Sequence, residues 1–299
     1  MSEVIYDNEL FLESYKSIKN LIYNEGDEIV YPTKLKISTI TSTSYIGTVI
    51  NLEKFFTNLN PYIYNIQYIE YNNKSHEINV KGYNKKYENK RRKGLIKKCF
   101  DNQVTIVFGV EGHNFNINMK IFKNGKIQMT GIKNIDNGHI YVDELINIIK
   151  DIYVIDETVV EDFDKLDNID YKIRLINSDF KIGFPIKREK LYNLLINNYK
   201  ELICSYEPCI YPGVKISYLY NETKIIKNGI CECKSKLCFT KKNGSGLEED
   251  ACKKITIVVF QSGSVIITGS NNILQLNECY DFISNILLNN SKDIELNQL

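Results

Sequence analysis

Histidine is scarce. His76, His113 and His139 are the three in 299 residues, and they stand in unrelated polar contexts with no ligand or triad spacing. Nothing in the chain assembles a nucleophile, a base and an oxyanion donor, so an enzyme is not expected. The stretch NGSGLEED contains glycine but lacks the Gly-Lys-Ser/Thr end of a phosphate-binding loop. No apolar run approaches the roughly 18–20 residues that cross a bilayer. The opening MSEVIYDNEL has neither a basic nor an apolar signal region. A soluble, intracellular protein without a membrane partner is therefore expected. Eight cysteines in such a chain point to reduced thiols rather than a disulfide framework.

Net charge is also small, at +1, but it is unevenly spread. Residues 85–98, KKYENKRRKGLIKK, hold eight Lys or Arg against one Glu. Residues 151–170, DIYVIDETVVEDFDKLDNID, hold eight acids against one Lys. Each block reads as a solvated loop or face, and the basic one also as a polyanion contact.

The apolar pattern repeats. Phe11, Leu12, Tyr15, Ile18, Leu21 and Ile22 give helical spacing over 8–24. A long strand over KLKISTITSTSYIG and a helix over VINLEKFFTNL follow, then a polar, Asn- and Lys-rich stretch over about 72–98. Strands QVTIVFGVE, FNINMKIF and IQMTG and a helix near 139–150 complete the first set. After the acidic block the order recurs. A strand over YKIRLINSDFKIGF leads to a helix over PIKREKLYNLLINNY, with Pro185 at its entry. Strand GVKISYLY, a Cys-bearing interruption at 221–252, strands ITIVVF and VIITG and helix LQLNECYDFISNILL close it. FKNGKIQMTG (122–131) and FQSGSVIITG (260–269) occupy the same place in each set. The chain is an internal duplication.

Strand parity sorts the side chains. Phe115, Ile117, Met119 and Ile121 share one face, while Asn116, Asn118, Lys120 and Phe122 share the other. Ile255, Ile257 and Val259 likewise lie opposite Thr256, Val258 and Phe260. Keeping Phe122 and Thr130 on one face requires an odd-length turn, which a three-residue loop with Asn124-Gly125 or Ser262-Gly263 supplying a left-handed position provides. Either both phenylalanines close the end of the core, or an uncovered face presents them to a ligand.

SYEPCIYPGVKISYLY (205–220) resembles the second-half signature of the TATA-box-binding protein family, with its Ser-Tyr-Glu-Pro segment before an aromatic-Pro-Gly strand start. KIGFPIKREKL (181–191) resembles that family's strand-to-helix passage. MKIFKNGKIQMTG and IVVFQSGSVIITG resemble its hairpin, one in each repeat. The long Asn- and Lys-rich insertions look like the divergent versions of large DNA viruses. The resemblance implies an α+β fold, a pseudo-two-fold saddle in which two repeats form one curved antiparallel sheet with helices on the convex side. The implied organisation is an N-terminal helical extension (1–30), a first repeat with a basic insertion (31–150) and an acidic linker (151–170). A second repeat with a Cys-bearing insertion (171–290) and a tail (291–299) follow.

The implied activity is that of a general transcription initiation factor. It binds A·T-rich DNA in the minor groove, bends it with apolar wedges and recruits a transcription factor IIB-like protein and DNA-directed RNA polymerase. The place of action implied is a nucleus or a cytoplasmic viral replication site. Phe122 and Phe260 match the hairpin wedges; Tyr211 and Phe100 match their partners. Thr130 and Thr268 match groove-floor hydroxyls, which suit A N3 and T O2 acceptors. Leu175 and Thr39 stand where the family has paired asparagines, and Asn177, two residues on, is the substitute on the same face. Lys126 and Lys133 match phosphate contacts. Their second-repeat counterparts are Ser264 and Asn271, so the grip should favour the first half, with Arg91 and Arg92 adding to it. Glu207 matches a partner-binding acid, followed by Cys209 where a second acid is usual. A TATA-box-binding-protein-like scaffold for protein contacts, without specific DNA binding, is the alternative.

Cys231, Cys233, Cys238 and Cys252 lie in the second insertion. Their C-x-C-x4-C and distant fourth cysteine could bind zinc, but they lack the paired C-x2-C spacing, and no metal or cofactor is expected. The N-terminal helix with Glu9 and Glu13 either packs on the body or lies over the DNA-facing side and competes with DNA.

Overall fold

The computed structural model describes residues 32–61, 63–71, 74–77, 102–112, 115–233, 238 and 251–296. The expected N-terminal helix, the basic block with Arg91 and Arg92, and Phe100 lie outside the described residues. The chain forms two compact units, one of residues 39–174 and the other of residues up to 38 together with 175–299.

In the first unit the elements run β1 (Lys36–Tyr45), α1 (Leu52–Asn58), β2 (Ile66–Tyr71), β3 (Lys74–Glu77), β4 (Gln103–Phe108), β5 (Ile117–Phe122), β6 (Lys126–Ile132) and α2 (Gly138–Ile155). β1 belongs to this unit from Thr39 onward. The strands are hydrogen-bonded in the order β3-β2-β4-β5-β6-β1, and these pairs are antiparallel. Asn51 starts α1 because its side chain accepts from the Lys54 backbone N–H at 3.2 Å. α2 buries Tyr141, Val142, Leu145, Ile146, Ile148, Ile149 and Ile152 at helical spacing. The acidic stretch 151–170 contains the end of this helix and two short 3-10 turns, Glu157–Val159 and Phe163–Lys165.

The second unit carries β7 (Ile169–Lys181), α3 (Arg188–Asn198), β8 (Ile203–Ser205), β9 (Val214–Tyr220), β10 (Lys253–Val259), β11 (Ser264–Ser270), α4 (Ile273–Asn289) and α5 (Ser291–Ile294). β7 belongs to it from Leu175 onward. Its strand order is β7-β11-β10-β9-β8, again antiparallel. Asn272 caps α4 by accepting from Gln275 N at 2.9 Å, and Gln275 Oε1 accepts from Asn271 N at 3.0 Å, a reciprocal cap. Each repeat is thus an antiparallel sheet with the described helices on one side, the α+β class that the family resemblance implied.

Three details depart from the sequence reading. α3 begins at Arg188 rather than at Pro185, because Ile186 and Lys187 are held extended by Gln261 O at 2.8 Å and Ile294 O at 2.6 Å. Phe115 is not on the core face: β5 starts at Ile117, and Phe115 is 51% exposed ahead of it. β2, β3 and β8 are strands that the apolar pattern did not announce, β3 lying inside the polar stretch.

Candidate nucleic-acid interface

Side-chain parity defines the two faces of each sheet. In β5 and β6, Ile117, Met119, Ile121, Ile127 and Met129 are buried, while Asn118, Lys120, Phe122, Gln128 and Thr130 are half-buried on the opposite side. On the buried side, Phe108 meets the α2 residue Tyr141 edge-on at 6.1 Å. In the second unit, Phe180 and Tyr218 meet Tyr280 and Phe282 of α4 at 4.5 and 4.9 Å. Tyr218 also donates to Glu278 at 2.7 Å. Phe260 and Thr268 have the other parity. Both hairpin phenylalanines therefore sit on the opposite, helix-free face, which carries no helix among the described residues.

The hairpin turns keep them there. Gly125 N donates to Phe122 O at 2.9 Å, and Gly263 N to Phe260 O at 3.0 Å. Both glycines have positive φ, 79° and 78°, as a three-residue loop with a left-handed last residue requires. A Cβ at either position would meet backbone oxygen, Thr48 O at 2.1 Å or Phe184 O at 2.2 Å. The turn argued from parity is the turn observed.

In the first unit Phe122 lines an open cleft of about 870 Å³ together with Thr43, Tyr45, Lys126, Gln128 and Arg174. Arg174 Nε donates to Thr43 Oγ1 at 2.8 Å. In the second unit Tyr211, 40% exposed, lies 6.0 Å from Phe260 with the rings tilted by 59°. Lys215 Nζ stands 5.5 Å from the centre of the Tyr211 ring. Gly213 permits this approach, since a Cβ there would crowd Val258, Phe260 and Tyr211. Arg188 ties the two supporting loops together by donating to Pro212 O and, at 2.9 Å, to Gln261 Oε1. Its guanidinium also sits 5.5 Å from the Tyr206 ring.

The hydroxyl sites are repeated. Thr130 pairs with Thr41, and Thr268 with Asn177. The Thr268 hydroxyl donates to Asn177 Oδ1, which turns the amide Nδ2 into the available donor. Thr39 accepts from Gly131 N at 3.1 Å, so its oxygen supports the irregular pairing beside Ile40. Thr41 is thus the positional equivalent of Asn177, two residues after Thr39 as Asn177 is after Leu175. Lys126 and Lys133 are exposed at the two ends of β6. Lys120, Arg174, Lys215 and Arg188 were also missed. Alternation had placed Lys120 beside Phe122, but the other three depend on tertiary proximity. Glu207 is exposed in a turn whose backbone oxygen accepts from Ile210 N and Tyr211 N, both at 2.9 Å, with exposed Cys209 between them.

Each unit thus carries an antiparallel sheet with rings, hydroxyls and cations on its helix-free side. No established protein-family profile matches the chain. A curated relative from Acanthamoeba polyphaga mimivirus, described as TATA-box-binding protein-like, is 30% identical over 307 aligned positions, covering 98% of this chain and 74% of its own. A solved structure, Methanococcus jannaschii TBP, aligns with a TM-score of 0.46 and 17% identity, over 85% of this chain and 97% of its own. The chain belongs to the TATA-box-binding protein-like family, and its role is accordingly a transcription-related one. Among the described residues no helix is long and apolar enough to cross a membrane.

Proposed function

We propose that the protein is a non-enzymatic transcription initiation factor that binds A·T-rich promoter DNA through the minor groove, bends it, and recruits a transcription factor IIB-like protein and RNA polymerase. The observation that carries this reading is the Tyr211–Phe260 pair: Phe260 is held out of the core by strand parity, Tyr211 lies against it 40% exposed, and Arg188 braces the loops beneath them. Phe122 occupies the equivalent hairpin position in the first unit. Apolar rings so placed suit partial insertion between base steps, and A·T steps lack the guanine amino group that would obstruct the groove floor. Asn177 Nδ2 and the Thr41 and Thr130 hydroxyls suit A N3 and T O2 acceptors. Lys120, Lys126, Arg174 and Lys215 suit the flanking phosphates. Glu207 on the exposed turn suits a basic surface of the initiation factor.

Gel-shift and end-labelled bending assays on A·T-rich and G·C duplexes test the reading. Preferential binding with a bend supports it; equal binding to both, or binding without a bend, refutes it. A second reading is a protein-interaction scaffold of the transcription machinery without specific DNA binding. Asp179 favours it, because this acid shares the helix-free parity with Asn177 and would oppose phosphate; Ser38 donates to its carboxylate. Recovery of polymerase or initiation factor with no DNA affinity selects the scaffold.

A further inference from the structure

The segment between β9 and β10, residues 221–252, has little with which to build a core. Ile225 is 95% and Ile226 63% exposed. Among its described residues the buried side chains are those of Cys238 and Cys252, which pack on Leu219 of β9 with Cys231, Cys233 and Ala251 around them. The four sulfurs of Cys231, Cys233, Cys238 and Cys252 all lie within 4.8 Å of one another. Three of their separations are 3.1 Å (231–233), 3.4 Å (231–238) and 3.7 Å (233–252).

We propose that these four cysteines form a structural tetrathiolate zinc site that fastens the second-repeat insertion to the β9–β10 pair. A tetrahedron with Zn–S bonds of about 2.3 Å has sulfur–sulfur edges of about 3.8 Å, the scale on which these atoms converge. Two disulfides explain the arrangement less well. They would need two bonded pairs about 2.05 Å apart rather than four sulfurs that are all neighbours, and the nearest pair, 231–233, is separated by one residue. Four thiolates and Zn²⁺ leave a net double negative charge, which Lys234, Lys236, Lys253 and Lys254, adjacent in sequence to the ligands, suit.

The placement indicates what the metal does. Cys252 is the residue before β10, and Cys231 and Cys233 follow the stretch that returns from β9. A cation shared by them closes the insertion at its base and supplies what its few apolar residues do not. The site lies at the Tyr220/Lys253 end of the β9–β10 pair, whereas Tyr211 and Phe260 lie beyond the Val214/Val259 end. Six residue steps along a strand separate those ends by about 20 Å. The role is structural and separate from the ring pair.

The test uses the full chain purified under reducing conditions without chelator. Elemental analysis should find one zinc per chain, released to a colorimetric dye when a mercurial blocks the thiols. Replacing zinc with Co²⁺ should give thiolate-to-cobalt charge transfer and the strong visible bands of a tetrahedral S4 site. Cys238→Ser with Cys252→Ser should abolish both signals. Because that variant can misfold, the cobalt spectrum of the unaltered chain stands as the independent measurement. A zinc-free chain that gives no S4 cobalt spectrum overturns the proposal. So do two disulfides found by mass analysis, iron in place of zinc, or full zinc retention in the double variant.

Discussion

Replacing Phe260 by alanine tests the face assignment most directly. The ring is half-buried, touches Tyr211 at 6.0 Å and belongs to the parity opposite Ile257, whose side chain is fully buried. Truncating a fully buried Phe costs about 3–5 kcal/mol, so a half-buried one should cost about 2 kcal/mol of stability. Aromatic stacking on a base is worth about 1–3 kcal/mol, so the Kd for an A·T-rich duplex should rise by roughly 5- to 150-fold. The bend should fall with it, since a kink needs its wedge. Ile257→Ala is the matched control: it should cost about 2–5 kcal/mol of stability and leave the bend intact wherever the protein remains folded. Energy transfer across an end-labelled duplex, read at low temperature beside denaturant melts of each variant, separates the two effects. A full bend with Phe260→Ala refutes the wedge. So does an equal loss of bending by folded Ile257→Ala.

Other outcomes follow from the same geometry. Gly263→Ala should cost at least about 1–2 kcal/mol from the left-handed backbone alone, with the clash at Phe184 O adding to it; an unchanged denaturant midpoint would contradict the turn. Lys126→Ala should weaken DNA binding on all sequences alike and lower the slope of log K against log salt by about 0.9; a slope that does not move removes Lys126 from the phosphate contacts. Asp281 is raised to about 6, chiefly by burial and then by the nearby Glu278. Its neutral form is the favoured one in the fold, so its contribution is fully present below the ordinary carboxyl range and is lost as pH rises through 6. Asp281→Asn should therefore melt higher than the parent at pH 7 and equally near pH 3.5; a constant difference across that range would show that the charge is not responsible. Glu207→Lys should weaken capture of a transcription factor IIB-like partner on DNA without changing DNA affinity, as a supershift would read; loss of both assigns Glu207 elsewhere.

The duplication and the two faces were legible because antiparallel strands alternate with a period of two, and a glycine marks each turn. Phe122, Phe260, Thr130 and Thr268 follow from that alternation alone. β8 was not legible, since three residues carry no period, and β2, IQYIEY, runs directly into a polar stretch that masks its pattern. Thr41 follows by counting, two residues after Thr39 as Asn177 is after Leu175, but its pairing with Thr130 across an irregular register does not. Arg188 acquires its role from Pro212 and Gln261, which are 24 and 73 residues away along the chain. The four cysteines were grouped in the sequence as a set that could bind zinc, but their convergence was not legible, because bringing Cys252 to the other three requires the chain to close on itself.

One backbone contact at the rim has a wider consequence. β8 pairs with β9 only from Lys215 to Ser217. Farther along, Leu219 N donates instead to Gly229 O at 2.9 Å. The inserted chain thereby occupies an amide that would otherwise offer itself to a passing strand. At crowded concentrations, this shields the outer margin of the second repeat from strand-by-strand polymerisation, and shortening the loop past Gly229 would expose that margin.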